Sequence, residues 1–413
     1  MSWPLTRLGD HCEVITKGTT PTTLGLEFAD SGIPFLRVQN VANGSVNYER
    51  ETLFVDEKTH RTLERSQIWP GDVLVSIAGT IGRAGVVPDR APALNCNQAL
   101  AIVRTKGEIF RPFLRHWLES TGAQAQMRGA TVTGTISNLS LAQVGSLKLS
   151  LPPLHAQRRI AEVLDLAEAL RAKRLAALAQ LDILTQSIFL NMFGDHTTIL
   201  KRWPTKRLGE LLDFLTSGSR GWAEYYAESG DLFLRIQNVR RDELLLDDIA
   251  YVNAPDTAEA KRTRVEPGDV LLSITADLGR TAVVPEGLGL AFINQHLSIL
   301  RTKALVPRFL SAYLTSPVGQ RQVSGRNRHA VKAGLNFDDI RSFIVPVPPT
   351  GLQQDFVRRV TAVEKLKATY RTSLAELGAL FATLQHRAFR GELGAQKRGR
   401  ESFLAARSTT LLP

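Results

Sequence analysis

The seven residues FLRVQNV at Phe35–Val41 return, with one conservative change, as FLRIQNV at Phe233–Val239. A repeat this far apart constrains the fold more than any local signal, because the chain must build the same substructure twice. Self-alignment extends the match. Trp3-Pro4 and Arg7-Leu8-Gly9 recur as Trp203-Pro204 and Arg207-Leu208-Gly209, an offset of 203 − 3 = 200. PGDVLVSI from Pro70, GRAGVVP from Gly82 and Asn97-Gln98 recur as PGDVLLSI from Pro267, GRTAVVP from Gly279 and Asn294-Gln295, an offset of 267 − 70 = 197. Pro152-Pro153 and Gln157 recur as Pro348-Pro349 and Gln353, an offset of 348 − 152 = 196. The order never changes, and the drift is what loop insertions produce. The 413-residue chain therefore reads as a tandem duplication, with a period too long for a solenoid unit.

Each half has two parts. The first carries short β-branched runs such as 72–77 and 269–274, bounded by Gly, Pro and Asn turns, and predicts a mixed α+β domain. The second begins at the paired prolines, which block helix upstream, and runs as one long helix. The expected boundaries are 1–151 and 196–347 for the globular domains, 152–195 and 348–393 for the helices, and 394–413 for a basic, unstructured tail. In the first helix an alternating three-four spacing runs through Ile160, Val163, Ala167, Leu170, Arg174, Ala177, Leu181, Leu184 and Ile188. In the second it runs through Phe356, Val360, Val363, Lys367, Tyr370, Leu374, Leu377, Phe381, Leu384 and Ala388. Stripes this long predict helix-on-helix pairing, with Arg174 and Lys367 as basic interruptions that fix register.

Two directly repeated units paired about a pseudo-twofold axis place their helices antiparallel, as a coiled coil, with one globular domain at each end. A helix of about 34 residues is roughly 50 Å long, and B-DNA turns once in about 34–36 Å. Such an arrangement suits two readers on separate stretches of one duplex, with FLRVQNV and FLRIQNV as scaffold strands. The charge agrees: 51 Lys+Arg against 40 Asp+Glu gives +11, which favours a polyanionic partner. Two cysteines are too few for a disulfide framework, no leader opens the chain, and no uninterrupted apolar run approaches the roughly 20 residues of a membrane helix. A cytoplasmic protein is expected.

The chain resembles the specificity subunit of a type I restriction-modification system over residues 1–393. The residues that carry the likeness are Trp3-Pro4, Arg7-Leu8-Gly9, Lys17-Gly18-Thr19-Thr20-Pro21, the run from Gly71-Asp72 through Gly79-Thr80-Ile81-Gly82-Arg83, and Leu151-Pro152-Pro153 with Gln157. The resemblance implies two target recognition domains joined by an antiparallel coiled coil and a two-part, asymmetric DNA target with an unread spacer. It also implies two methyltransferase subunits, restriction subunits as an optional addition, and a chain that binds no cofactor itself. S-adenosylmethionine, ATP and Mg then belong to the partners. A different reading stays open: a two-headed coiled-coil adaptor, or the specificity subunit of a methylation-only or related phage-defence complex. The second copy departs from the pattern at Ser217-Gly218-Ser219-Arg220-Gly221 and at Ala276-Asp277-Leu278.

Phosphate contacts need Arg, Lys, hydroxyls and backbone N–H groups, and base reading needs paired donors and acceptors. Three loops per copy supply them. The candidates in the first copy are Lys17, Thr19, Thr20, Thr80, Arg83, Arg128, Thr131, Thr133 and Thr135. In the second they are Ser219, Arg220, Arg280, Arg326, Asn327, Arg328 and Lys332. Gln39, Asn40, Gln237 and Asn238 are expected to be buried structural residues, because copies that read different bases should differ there. Exposed helix faces with Arg158, Arg159, Arg171 and Lys173, and their counterparts Arg358, Arg359, Lys365 and Lys367, are candidates for docking partners or the DNA backbone, or are plain solvated faces. No glycine-rich cofactor fingerprint, Walker loop, HExxH or Asn/Asp-Pro-Pro-aromatic stretch is present, so no catalytic site and no metal site are expected.

Overall fold

The structure, a computed structural model, describes residues 3–130, 138–195, 198–326 and 334–392. Two compact units form: Met1–Leu175 with the C-terminal part of the chain from Thr372, and Ala176–Arg371.

The first unit has a six-stranded sheet in the order Cys12–Lys17, Leu100–Thr105, Val73–Ser76, Ala84–Val86, Gly44–Val46, Val41–Ala42. A four-stranded sheet follows the order Leu53–Val55, Ile33–Leu36, Leu94–Cys96, Gln67–Ile68. Val73, Val75, Ala101 and Val103 point into the main core beside Phe113, Leu114 and Trp117 of the helix Arg111–Leu118. The period-two alternation puts Leu74, Leu100 and Ile102 into a second core on the opposite face.

The second unit repeats the plan with the orders Phe214–Ser217, Leu297–Arg301, Val270–Ser273, Thr281–Val283 and Tyr226–Ala227, Ala250–Val252, Asp231–Leu234, Ala291–Ile293. The outermost pairing of the first copy is here reduced to the isolated bridges Val239↔Leu244 and Arg241↔Thr281.

The repeated motifs have physical causes. In PGDVL the glycine takes a left-handed φ, 83° at Gly71 and 87° at Gly268, which a side chain would strain. The following aspartate is buried, accepts a backbone N–H from Trp69 (2.8 Å) or Glu266 (2.7 Å), and grips an arginine from the neighbouring strand with two hydrogen bonds. The pairs are Asp72–Arg104 (2.9 and 2.7 Å) and Asp269–Arg301 (2.7 and 2.8 Å). In FLRVQNV Phe35 and Leu36 end one strand and Val41 opens another, with Val38–Asn40 turning into a 3-10 helix between them. Asn40 and Asn238 are buried: each accepts the N–H three residues back and ties down two carbonyls of the next loop, as the sequence predicted. Gln39 and Gln237 are instead exposed, since a 3-10 turn rotates the residue before the buried asparagine outward. Gln157 and Gln353, also buried, join each globular part to its long helix: the amide accepts the N–H of Phe110 (2.7 Å) or Val306 (2.9 Å) and donates to Pro152 or Pro348 (2.8 Å in both).

The long helices are Leu154–Phe193 and Thr350–Phe389, 40 residues each. In the first unit Ile160, Ala161 and Leu164 share the core with Ala388, and Arg171 lies 5.4 Å over the Phe381 ring. In the second, Phe189 and Phe193 meet Phe356 at 5.6 and 5.5 Å, while Lys367 binds Asp182 at 2.8 Å. Rising residue numbers in one helix meet falling numbers in the other, so the pairing is antiparallel within each unit.

The inward row of the second helix is the predicted one. In the first helix it is Ile160, Leu164, Ala167, Arg171, Arg174, Leu178, Leu181, Thr185, Ile188 and Met192, while Val163, Leu170 and Leu184 are 37%, 44% and 43% exposed. The seam therefore runs one residue later at every second position than the sequence spacing suggested. Residues at i+3 and i+4 flank the same face, and apolar side chains on both obscured the choice. Lys367 is correspondingly buried rather than part of an exposed docking face. The first helix is long enough to cross a membrane and holds an 18-residue window of mean hydropathy 1.3, although Gln180, Asp182 and Gln186 interrupt its apolar run.

Each unit buries a charged hub where its long helix meets the sheet. In the first, Arg115 donates to both oxygens of Glu168 (2.9 and 2.7 Å) and lies 3.4 Å from Asp165 and Glu119, while His116 is 2.8 Å from Asp165. His116, Asp165 and Glu168 converge as metal ligands would, but their carboxylates already answer Arg115. Burial, then the Arg115 charge, holds His116 below the usual imidazole range. In the second unit Asp242 accepts the Ser311 hydroxyl and lies 3.4 Å from Arg308, which with Lys367 reaches Glu364. Burial pushes Asp242 up to about 6, against the opposing pull of Arg308.

Two predictions follow from this packing. Phe193 is fully buried among Phe189, Phe309 and Phe356, so Phe193→Ala should destabilise the second unit by about 3–5 kcal/mol in urea unfolding. Asp242 has a folded value raised above the ordinary 3.8, so its stabilising share is present below about pH 4 and is lost as pH rises through about 6. Relative to Asp242→Asn, the parent chain should lose about 2–3 kcal/mol between pH 4 and pH 7, measured by parallel urea titrations.

Candidate nucleic-acid interface

In the first unit the turn at 96–99 is the fixed point around which two predicted loops gather. Gly18 donates to Leu100 O (3.2 Å) and Thr19 to Cys96 O (3.1 Å), so the Lys17–Thr20 segment lies against the turn. A Cβ on Gly18 would stand 2.0 Å from Cys96 O, so only glycine permits this approach. The Thr20 hydroxyl donates to Gln98. From the other side Ile77 donates to Ala99 O (2.8 Å), Leu139 donates to Ile77 O (2.9 Å), and Ala78 bridges Asn138. Ser76 closes the intervening loop by donating to Thr80 O and accepting the Arg83 N–H. Lys17, Thr80 and Arg83 are left exposed, and neither cationic side chain has a hydrogen bond or ion pair among the described residues. The helix Thr121–Ala130, which carries the exposed Arg128, is fastened to this loop by Gln124, whose amide donates to Gly82 O at 2.9 Å. Thr131, Thr133 and Thr135 lie outside the described residues.

The second unit repeats the scaffold with other side chains. Gly218 donates to Leu297 O (3.0 Å), and its Cβ would stand 2.1 Å from Asn294 O. Ile274 donates to His296 O (2.9 Å) and Leu335 donates to Ile274 O (2.9 Å). The Ser219 hydroxyl accepts the Trp222 indole N–H at 3.0 Å, so it serves the local fold, whereas Arg220 is exposed with no partner among the described residues. Arg280 is partly exposed and held by Asp277. Arg326 is drawn into the fold: it donates to Ser342 Oγ (2.6 Å) and Ser342 O (3.0 Å) and lies 5.1 Å over the Phe343 ring. Asn327, Arg328 and Lys332 lie outside the described residues.

Sequence reasoning passed over the turn residues themselves. Gln98, exposed at its tip, is held by Thr20; Gln295 is held by His296 (3.1 Å), whose other ring nitrogen meets Thr275 Oγ1. Asn97-Gln98 and Asn294-Gln295 were visible as repeat matches, and an amide with a donor beside an acceptor was the available signal. Both cysteines are free and buried, with Cys12 pushed up to about 12 by burial, so neither offers a reactive thiolate.

What these loops offer chemically is exposed cations, hydroxyls and amides on a β scaffold, with the scaffold shared and the side chains changed between copies. The chain matches the family model described as type I restriction modification DNA specificity domain twice, over residues 2–180 and 201–378. It is 24% identical to the type I restriction enzyme EcoBI specificity subunit of Escherichia coli, over 94% of this chain and 86% of that one. It is 25% identical to the EcoKI specificity subunit of Escherichia coli strain K12, over 89% and 84%. Among solved structures, one described as the structural basis of complex assembly and conformational transition of the type I R-M system superposes with a TM-score of 0.61 at 20% identity, covering 95% of this chain and 98% of that chain. The S subunit from M. genitalium superposes with a TM-score of 0.56 at 15% identity, over 94% and 96%. The shared fold and the doubled match place this chain in the type I restriction-modification DNA specificity family.

Proposed function

We propose that the chain is the DNA-reading subunit of a type I restriction-modification complex, and that each repeat reads one half of a two-part, asymmetric duplex target. The observation that carries this reading is the contrast within the loop edge. Backbone geometry around the 96–99 turn and its counterpart is the same, down to a glycine that no side chain could replace. The outward groups differ: Lys17 and Thr20 against Ser217 and Arg220, Thr80 against Asp277, Ala99 against His296. A common scaffold with altered donors and acceptors is what two readers of different bases require.

On this reading the chain itself does no chemistry. Two methyltransferase subunits, bringing S-adenosylmethionine, methylate one adenine in each half-site, and restriction subunits with ATP and Mg cut where they are present. The names of the curated relatives, which are specificity subunits of restriction enzymes, support that division of labour. The complex works on cellular DNA, which places it in the cytoplasm.

Co-expression with a candidate methyltransferase, followed by single-molecule sequencing for methyladenine, tests the reading. The expected result is one bipartite motif with a fixed gap, of which one half changes when residues 217–332 are exchanged for another recognition segment. An active complex that methylates without any motif would sink it.

A further inference from the structure

The repeats differ sharply at one place that family membership does not assign. In the first copy the turn after FLRVQNV continues Ala42-Asn43; at the equivalent positions, given Val41 against Val239 (239 − 41 = 198), the second copy has Arg240-Arg241. Both arginines are exposed, and neither side chain has a hydrogen bond or ion pair among the described residues. The turn is held in place by the bridges Val239↔Leu244 and Arg241↔Thr281, with Arg240 N donating to Glu243 O at 2.9 Å. Its third residue, Asp242, takes a left-handed φ of 63° and sends its carboxylate inward to Ser311 and Arg308, away from the two arginines.

The bridge to Thr281 sets the pair beside Arg280, whose guanidinium lies 3.4 Å from Val239 O. Arg240, Arg241, Arg280, Asp277 and Gln320 border a cavity of about 280 Å³. Asp277 is the one acid on that wall, and Arg280 already holds it. Acids on the adjoining groove are spent elsewhere: Glu243 on Arg371 (2.8 Å), Asp182 on Lys367 (2.8 Å), Glu364 on Lys367 (3.3 Å). Asp247 has no cation within ion-pair distance among the described residues. Two adjacent guanidinium groups thus stand uncompensated at the mouth of a cavity next to the 277–280 loop. Like charges held together without an internal counter-ion are stabilised by an external one, and a planar guanidinium fork matches phosphate oxygens.

We infer that Arg240 and Arg241, with Arg280, form a phosphate-binding site for the DNA backbone that exists in the second repeat alone. The inference rests on the DNA-reading function above and adds to it an unequal grip on the two half-sites. Contacts of this kind position the duplex and carry no sequence information.

The test uses the full-length chain, alone and with co-expressed methyltransferase, as parent, Arg240→Gln/Arg241→Gln and Arg240→Lys/Arg241→Lys. Binding to short duplexes with and without the methylated motif is followed by anisotropy between 50 and 200 mM salt. The glutamine variant should lower the slope of log affinity against log salt by about 1.8 and weaken binding roughly 50-fold at 0.1 M salt, equally on both duplexes. The lysine variant should keep the parent slope, and the methylated motif should not change. A parent-like slope in the glutamine variant would overturn the site, as would a loss confined to the motif-bearing duplex, which would mean base contact. A parent that binds neither duplex overturns the DNA-reading function along with it, so the two failures are distinguishable.

Discussion

The core of each compact unit is closed by a helix end that comes from the other repeat. Ala388, with Phe381 and Phe389 against it, completes the first core, and Phe189, Met192 and Phe193 complete the second. Everything else depends on this exchange. The sheets supply Val73, Val75, Val270 and Leu272 on one face, the short helices supply Phe113 and Phe309, and each repeat's own long helix adds Ile160, Ala161 and Leu164 or Phe356 and Val360, with the borrowed end completing the layer. Each large side chain removed from water contributes about 1.5–3 kcal/mol to holding the borrowed helix end in place. Neither loop edge could be held rigid on an unsealed sheet.

The charged hubs show how the duplication has been kept and varied. Glu168 and Glu364 are repeat equivalents and both sit at the junction of long helix and sheet. In the first unit Glu168 is gripped by Arg115, a residue of the short helix; in the second that position is Ser311, and Arg308 and Lys367 take over. A half-buried carboxylate at the junction is disfavoured without a cation beside it, so the partner moved but was kept.

Much of this was legible in the sequence. The duplication, the two long helices and the seam of the second helix followed from spacing alone, and the buried role of Asn40 and Asn238 followed from their identity in both copies. The seam of the first helix was misplaced because Val163, Leu170 and Leu184 are as apolar as the residues that are buried. The repeat held the correct answer, since Leu164 aligns with Val360, and Arg171 with Lys367, at the offset of 196 set by Pro152 and Pro348. The candidate site was legible as loops but not as a site. Nothing local reveals that Gly18 and Ile77 meet the same turn, because that contact is made across strands. Nor does composition show that Arg326 is drawn inward to Ser342, a partner supplied by tertiary packing.

The exchange of helix ends also orders events on the ribosome. The second unit is one continuous segment, Ala176–Arg371, and has all its parts once that segment has emerged. The first unit begins earlier but lacks the last part of its core until Phe389 is made, 389 − 175 = 214 residues after its N-terminal part ends. At about 5–20 residues per second the first core waits roughly 10–40 s for the contacts that Phe381, Ala388 and Phe389 supply. Nascent chains of this protein therefore complete their domains in the reverse of their order of synthesis, and the interval exposes the N-terminal half to chaperones.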